Sequence, residues 1–154
     1  MSGVGLPAHF IVMTSGGGGP AYFDPFHAGR RVTPEDCEQI LETMFAGALP
    51  FESSMLRPAT PKETVLRLLR NLKGAYLGKQ DALRSWRTTD LLLRVDPDQP
   101  EELRDRGLLA FQMGRLGDAV TDLSRYLTLR PGARDTDRVV ATLRDARRSL
   151  ASLN

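Results

Sequence analysis

Apolar residues recur along this chain with two different periods, and the change falls near residue 33. Before it, Ala8–Met13 and Pro20–Phe23 are short apolar runs rich in aromatic and β-branched residues, separated by the flexible stretch Ser15–Gly19. That pattern predicts two strands joined as a hairpin. A hairpin symmetric about the glycines sets His9 opposite Asp24, Phe10 opposite Phe23 and Ile11 opposite Tyr22, with the register left open by the length of the loop. Pro25–Arg31 reads as a polar turn. Thr33-Pro34-Glu35-Asp36 then marks a helix start: Thr33 can cap, Pro34 suits the first helical position, and the acids favour the positive end of the helix dipole. Cys37, Ile40, Leu41, Met44 and Phe45 follow as one apolar stripe, and Gly47 is a C-terminal stop.

Leu49–Ala59 carries two prolines and little periodicity, and reads as an irregular linker. Thr60 and Glu63 form a capping-box pair that opens a second region. Helices are expected over Pro61–Leu77, Lys79–Val95, Pro100–Met113, Leu116–Arg130 and Thr136–Ser152, with short connections that make sequential helices antiparallel neighbours. Pro97 and Pro131 lie 34 residues apart, the tetratricopeptide spacing. Leu103, Gly107, Ala110, Ala119 and Leu123 fit the small and apolar packing positions of such a repeat. The same positions one period earlier are Leu69, Lys73, Tyr76, Ser85 and Thr89, so the first repeat is divergent, with Lys73 in place of Gly. Arg106 is charged where an apolar residue is usual. The last helix, apolar at Val139, Val140, Leu143, Ala146 and Leu150 and otherwise rich in Arg, reads as a cap. The expected organisation is a hairpin-and-helix unit over 1–48, a linker over 49–59, and two repeats with a capping helix over 60–154. The fold class is α+β, mostly helical. Two repeats are marginal alone, so the parts are expected to share a core.

Composition narrows the functional classes. The 154 residues are 41% hydrophobic, enough for a packed core, and the formal net charge is only +2 with both signs scattered. No dense cluster of Lys and Arg interleaved with aromatics points to nucleic acid. No run approaches the ~20 apolar residues of a membrane span, and no positively charged segment precedes the first apolar run as in a signal peptide. A single cysteine excludes an intrachain disulfide and fits a reducing, cytoplasmic location. No cofactor and no metal are expected.

His9 and Asp24 are the sharpest chemical pair. Opposed residues of an antiparallel pair hold their Cβ atoms ~5 Å apart, close enough for a carboxylate to orient an imidazole as in a nucleophile–base–orienter set. The competing reading is a strand-edge histidine and an aspartate that starts a turn before Pro25. Cys37, the single thiol, lies on the apolar stripe of its helix and reads as a packing residue. His27 could join His9 and Asp24 as a metal ligand, but the spacing lacks the usual ligand pairs and a surface turn residue is the expectation. The glycines at 16–19 are not a phosphate loop, because no Gly-Lys-Ser/Thr opens a helix after them. Trp86 and Tyr126 read as core residues. Arg67, Arg70 and Arg104 fall near positions that line the concave face of helical repeats, where they could hold an acidic peptide, or else they belong to a solvated or ion-paired face.

VGLPAHF, YFDPFHAGR, TPEDC, NLKGAYL and DPDQPEELRDRGLL together resemble the SirB family of bacterial proteins, which join a transglutaminase-like domain to tetratricopeptide repeats. The resemblance implies that His9 and Asp24 are two members of a Cys-His-Asp triad whose cysteine lies upstream of this histidine. No cysteine precedes His9 here, so the sequence looks like the C-terminal part of such a protein. Two functions are expected from this. The first is a non-catalytic interaction or structural module for a protein or peptide partner, including the missing N-terminal half. The second is part of a thiol hydrolase or acyltransferase, with His9 as base, Asp24 as orienter and the thiol from elsewhere. Open hairpin edges would also invite self-association.

Overall fold

The computed structural model describes residues 1–7 and 9–153. The chain divides into two compact units, Met1–Val65 and Leu66–Asn154.

The first unit is built on an antiparallel sheet of four strands in sequence order: β1 (Ser2–Val4), β2 (Ile11–Gly16), β3 (Gly19–Asp24) and β4 (Arg30–Val32). The expected strand over Ala8–Met13 is β2. It begins at Ile11, and Ala8 lies outside the described residues. The register differs from the symmetric one. Val12 faces Phe23, Met13 faces Tyr22 and Gly16 faces Gly19, so Gly17-Gly18 alone form the loop. Gly19 sits at φ +95°, which a side chain would strain. Gly16–Gly19 can thus close a tighter hairpin than five loop residues would, and the pairing slides by two. A slip of two keeps every side chain on its face. β1 and β4 were not legible, because three residues are too few to show alternation. They flank the hairpin on both sides, so the open edges on which self-association was expected are covered. The Ala59 amide also donates to the Gly3 carbonyl at 2.7 Å, and Val4 bridges to Pro58. The outer strand β4 is short and carries two arginines, features that blunt an edge.

Helix α1 (Pro34–Phe45) starts as expected, with a reciprocal capping box between Thr33 and Asp36. It buries Cys37 and Leu41 against Val4, Leu6, Ile11 and Val32. The stretch read as a linker takes part in this core. It contains a short 3-10 helix, Ser53–Leu56, and brings Leu49, Phe51, Met55 and Leu56 to the cluster. A hairpin and one helix would have been too small for a core of their own. Two extra strands and this segment supply one.

The helices follow at α2 (Pro61–Gly78), α3 (Ala82–Val95), α4 (Pro100–Gln112), α5 (Leu116–Leu129) and α6 (Thr136–Ala151). Each matches an expected helix within a few residues. α3 starts three residues late because Gln80 takes a left-handed φ of 56° and Asp81 caps the Arg84 amide at 3.0 Å. The second unit's core gathers Leu93, Leu103, Leu123, Tyr126, Val139 and Leu143, with Ala110, Ala119 and Ala146 in an adjoining cluster. Gly107 shows why the repeat needs a small residue there. A Cβ at this position would lie 2.8 Å from the buried Leu123 side chain, so α4 and α5 touch backbone to side chain. Lys73, at the matching position one period earlier, instead directs its ammonium at Glu102 and Asp105 on α4, at 2.6 and 2.9 Å. Arg106 replaces an apolar contact with a forked pair to Asp122 at 2.7 and 2.8 Å and a third bond to Asp90 at 2.7 Å. Among the described residues no helix is long and apolar enough to cross a membrane.

Candidate functional site

Asp24 closes β3 and is buried, with 2% of its surface exposed. Pro25 follows it and turns the chain. The Phe26 amide donates to Asp24 Oδ1 at 2.8 Å, an Asx turn that fixes the carboxylate plane. The Asp24 carbonyl accepts from the Gly29 amide at 2.9 Å, and Ala28 and Gly29 take left-handed φ of 54° and 70°. That tight return carries the chain into β4.

The second carboxylate oxygen, Oδ2, faces two imidazoles. His9 Nε2 lies 2.8 Å from it and His27 Nδ1 lies 2.7 Å from it. His9 is not opposite Asp24 in the sheet. It precedes β2, held in a turn by its amide bond to the Leu6 carbonyl at 3.0 Å. In the observed pairing Asp24 lies one step beyond Phe23↔Val12, and the His9 side chain reaches it from the turn that precedes β2. The pair therefore forms although the register that suggested it does not. His27 is the surface turn residue expected, 70% exposed, yet its ring turns back onto Asp24. The two readings of Asp24 coexist in one side chain: Oδ1 serves the turn and Oδ2 serves the histidines.

Burial works against the charge on Asp24. Hydrogen bonds from His27 and His9, then from the Phe26 amide, outweigh it and hold the carboxyl at about 2, below the usual carboxylate range. At neutral pH Asp24 is an anion that accepts. Facing that anion, His9 Nε2 is the donor, the arrangement by which a carboxylate orients the imidazole of a base. The His9 and Phe26 ring centroids lie 5.7 Å apart, at a tilt of 54°.

The three residues open onto a cleft of about 440 Å³. One wall is the cluster with Arg30. The other is the face of α1 that carries Asp36, Gln39, Ile40, Thr43 and Met44 at helical spacing. Ile40 and Met44 were expected in the core stripe. Met44 is instead 51% exposed and stands on the cleft side. The sequence signal for this wall was present: Asp36, Gln39 and Thr43 recur every three to four residues beside that stripe.

Cys37 does not join the cluster. It is fully buried among apolar side chains, and burial, followed by the charges of Asp36, Asp24 and Glu35, raises its thiol pKa. Reactive cysteines need the opposite environment. In the second unit Arg70 pairs with Gln99 and Glu102, and Arg104 pairs with Asp105 at 2.8 Å and Asp135 at 3.0 Å. Arg67 is partly buried, and that burial lowers its pKa. Tyr126 is a core residue as expected, its hydroxyl donating to Asp135 at 2.6 Å. Trp86 packs at the rim of the alanine cluster, under the guanidinium of Arg115 at 4.1 Å.

The chain is similar to known proteins along almost its whole length. A sequence model of the transglutaminase-like superfamily matches residues 1–70, and one of the tetratricopeptide repeat matches residues 72–144. A UPF0162 protein of Xylella fastidiosa is 35% identical over 148 residues, covering 94% of this chain and 53% of that protein. Protein SirB1 of Salmonella typhimurium is 33% identical over 72 residues, 47% of this chain and 27% of its own. The chain thus spans about half the length of the first of these relatives. Among solved structures, the C-terminal tetratricopeptide-containing domain of a Plasmodium falciparum FK506-binding protein superposes with a TM-score of 0.52 over 78% of this chain and 74% of that one, at 15% identity. That likeness speaks to the fold alone. With a transglutaminase-like match followed by a tetratricopeptide one, and with SirB1 and UPF0162 proteins as relatives, the chain is similar to the SirB family along almost its whole length.

Proposed function

We propose that this chain acts as a non-catalytic protein-interaction module, with a protein or peptide as its partner. The observation that carries the reading is the repeat architecture of the second unit. Helix pairs stacked on small residues, as Gly107 against Leu123, are the units from which repeat arrays build extended binding surfaces. Tetratricopeptide repeats generally mediate protein–protein contact. Arg70 and Arg104 already meet carboxylates of their own unit, so an acidic peptide would have to displace those partners. The single thiol of this sequence is buried away from the cleft, which supports a non-catalytic role. The test is a screen of the full chain against a peptide library, with hits mapped by amide hydrogen exchange. The module reading expects protection within α2–α6 and unchanged affinity in His9→Ala. Protection confined to the cleft, and lost with His9→Ala, would overturn it.

A second reading is favoured by the 2.8 Å contact between His9 and Asp24. Base and orienting carboxylate are in place for thiol hydrolysis or acyl transfer, with a thiol supplied by sequence outside this chain or by another chain. A thiolate paired with His9 would react with iodoacetamide near pH 6 far faster than an ordinary cysteine. In protein isolated from its native cells, such labelling on a cysteine other than Cys37, abolished by His9→Ala, would support this reading. Absence of any such labelling would remove it.

A further inference from the structure

We infer that His9, Asp24 and His27 form a binding site for a divalent transition-metal ion of the zinc class. The inference goes beyond the interaction role and does not depend on it. Its basis is convergence. Two imidazole nitrogens and one carboxylate oxygen, from the turn before β2, the end of β3 and the turn after it, lie within 4.8 Å of one another. Both nitrogens point at the same oxygen, at 2.8 and 2.7 Å.

A base–orienter pair needs one imidazole on its carboxylate. The second is unexplained by that chemistry, because His27 is mostly exposed and contributes nothing to the core. Two nitrogens and one oxygen are the donor set that borderline divalent ions take from proteins. An ion with bonds of about 2.1 Å holds neighbouring ligand atoms roughly 3–3.5 Å apart. Reaching that range requires the two nitrogen–oxygen spacings of 2.8 and 2.7 Å to open and the two nitrogens, which lie within 4.8 Å of one another, to take the same separation, a movement open to the His27 ring on its solvent-exposed turn. In the ion-bound form each ring turns a lone pair inward and carries its hydrogen on the other nitrogen.

The surroundings are those of a site rather than of a surface accident. Asp24 is buried, and its other oxygen is fixed by the Phe26 amide at 2.8 Å, the kind of support that orients a ligating carboxylate. The cluster faces the open cleft, so three protein ligands leave coordination positions toward solvent. That is the pattern of sites with an exchangeable ligand, whereas closed structural sites use four protein ligands. Gln39 and Thr43 on the opposite wall offer polar groups to whatever occupies those positions.

The experiment is titration of the full chain with Co²⁺, followed by its visible absorption, and with Zn²⁺ by calorimetry, in wild type and His27→Ala. His27 is chosen because its removal leaves the core untouched. The expected result is one saturable equivalent per chain, a low-symmetry Co²⁺ spectrum, and affinity reduced by roughly a hundredfold or more in His27→Ala. Peptide binding by the second unit stays unchanged in that variant, which separates this test from that of the interaction role. Absence of saturable binding below millimolar ion would overturn the inference. So would binding that His27→Ala leaves intact, or a Co²⁺ spectrum identical to that of the hydrated ion.

Discussion

In the second unit the buried carboxylates Glu102 and Asp122 meet cations of their own unit: Lys73 at 2.6 Å and Arg106 at 2.7 Å. In the first unit the buried carboxylate Asp24 meets two imidazoles, and both line an open cleft. All three acids are nearly inaccessible, yet their partners differ in kind. Lysine and arginine are permanent cations at neutral pH, and they tie helix to helix. Histidine is a base, a nucleophile's partner and a metal ligand, and here it lines a solvent-accessible cleft. The comparison teaches that burial of a charge does not by itself mark a functional site. What the counter-group can do, and where it faces, separates the two cases.

Substitutions in both units and one change of pH probe that contrast. The largest effect is expected from Gly107→Val, which forces a side chain into Leu123. A loss of about 3 kcal/mol is expected from the strain of overpacking, read by urea unfolding. Arg106→Ala comes next. It leaves Asp122 buried without its forked partner and costs about 2–3 kcal/mol. Replacing the pair together, Arg106→Met with Asp122→Leu, is expected to restore most of that loss. If it does not, the ion pair is more than a substitute for apolar packing.

Asp24→Asn keeps shape but loses charge, and a smaller cost of about 1–2 kcal/mol is expected from weakened hydrogen bonds. His27→Ala should move stability by less than about 0.5 kcal/mol, as for other exposed side chains. A larger change would make His27 a structural residue. The smallest effect concerns acid. Asp135 has its pKa lowered, chiefly by the hydrogen bond from Tyr126 and also by Arg104. A lowered folded-state value means that its contribution is complete above the ordinary carboxylate pKa and is lost as pH falls through the lowered one. Thermal melts between pH 5 and pH 3 should therefore fall more steeply in wild type than in Asp135→Asn. Parallel slopes would contradict this assignment.

The helices were legible because their signals are local: caps at Thr33 and Thr60, prolines at first turns, and apolar stripes. The repeat was legible through Pro97 and Pro131, and Gly107 behaved as the pattern required. The strands were less so. β1 and β4 are defined by pairing and not by their three residues each. The segment 49–59 looked irregular because its apolar residues serve a core built by distant strands. The His9–Asp24 pair follows from the sequence only through a register that the sheet does not adopt; the contact forms because the turn before β2 brings the His9 ring to the end of β3. From the sequence His27 reads as a turn residue, since nothing in spacing alone turns a ring inward. Its position three residues after Asp24, across a proline turn, was the usable signal.

The contrast between the two buried carboxylate environments is tested by a long-range proton–nitrogen correlation spectrum of the two imidazoles at neutral pH, in wild type and Asp24→Asn. In wild type His9 is expected to carry its hydrogen on Nε2, with that proton shifted far downfield by the Asp24 carboxylate. Asp24→Asn should abolish the shift and leave the amide signals of the second unit in place. A His9 ring that averages between tautomers in wild type, or that is unmoved by Asp24→Asn, would contradict it.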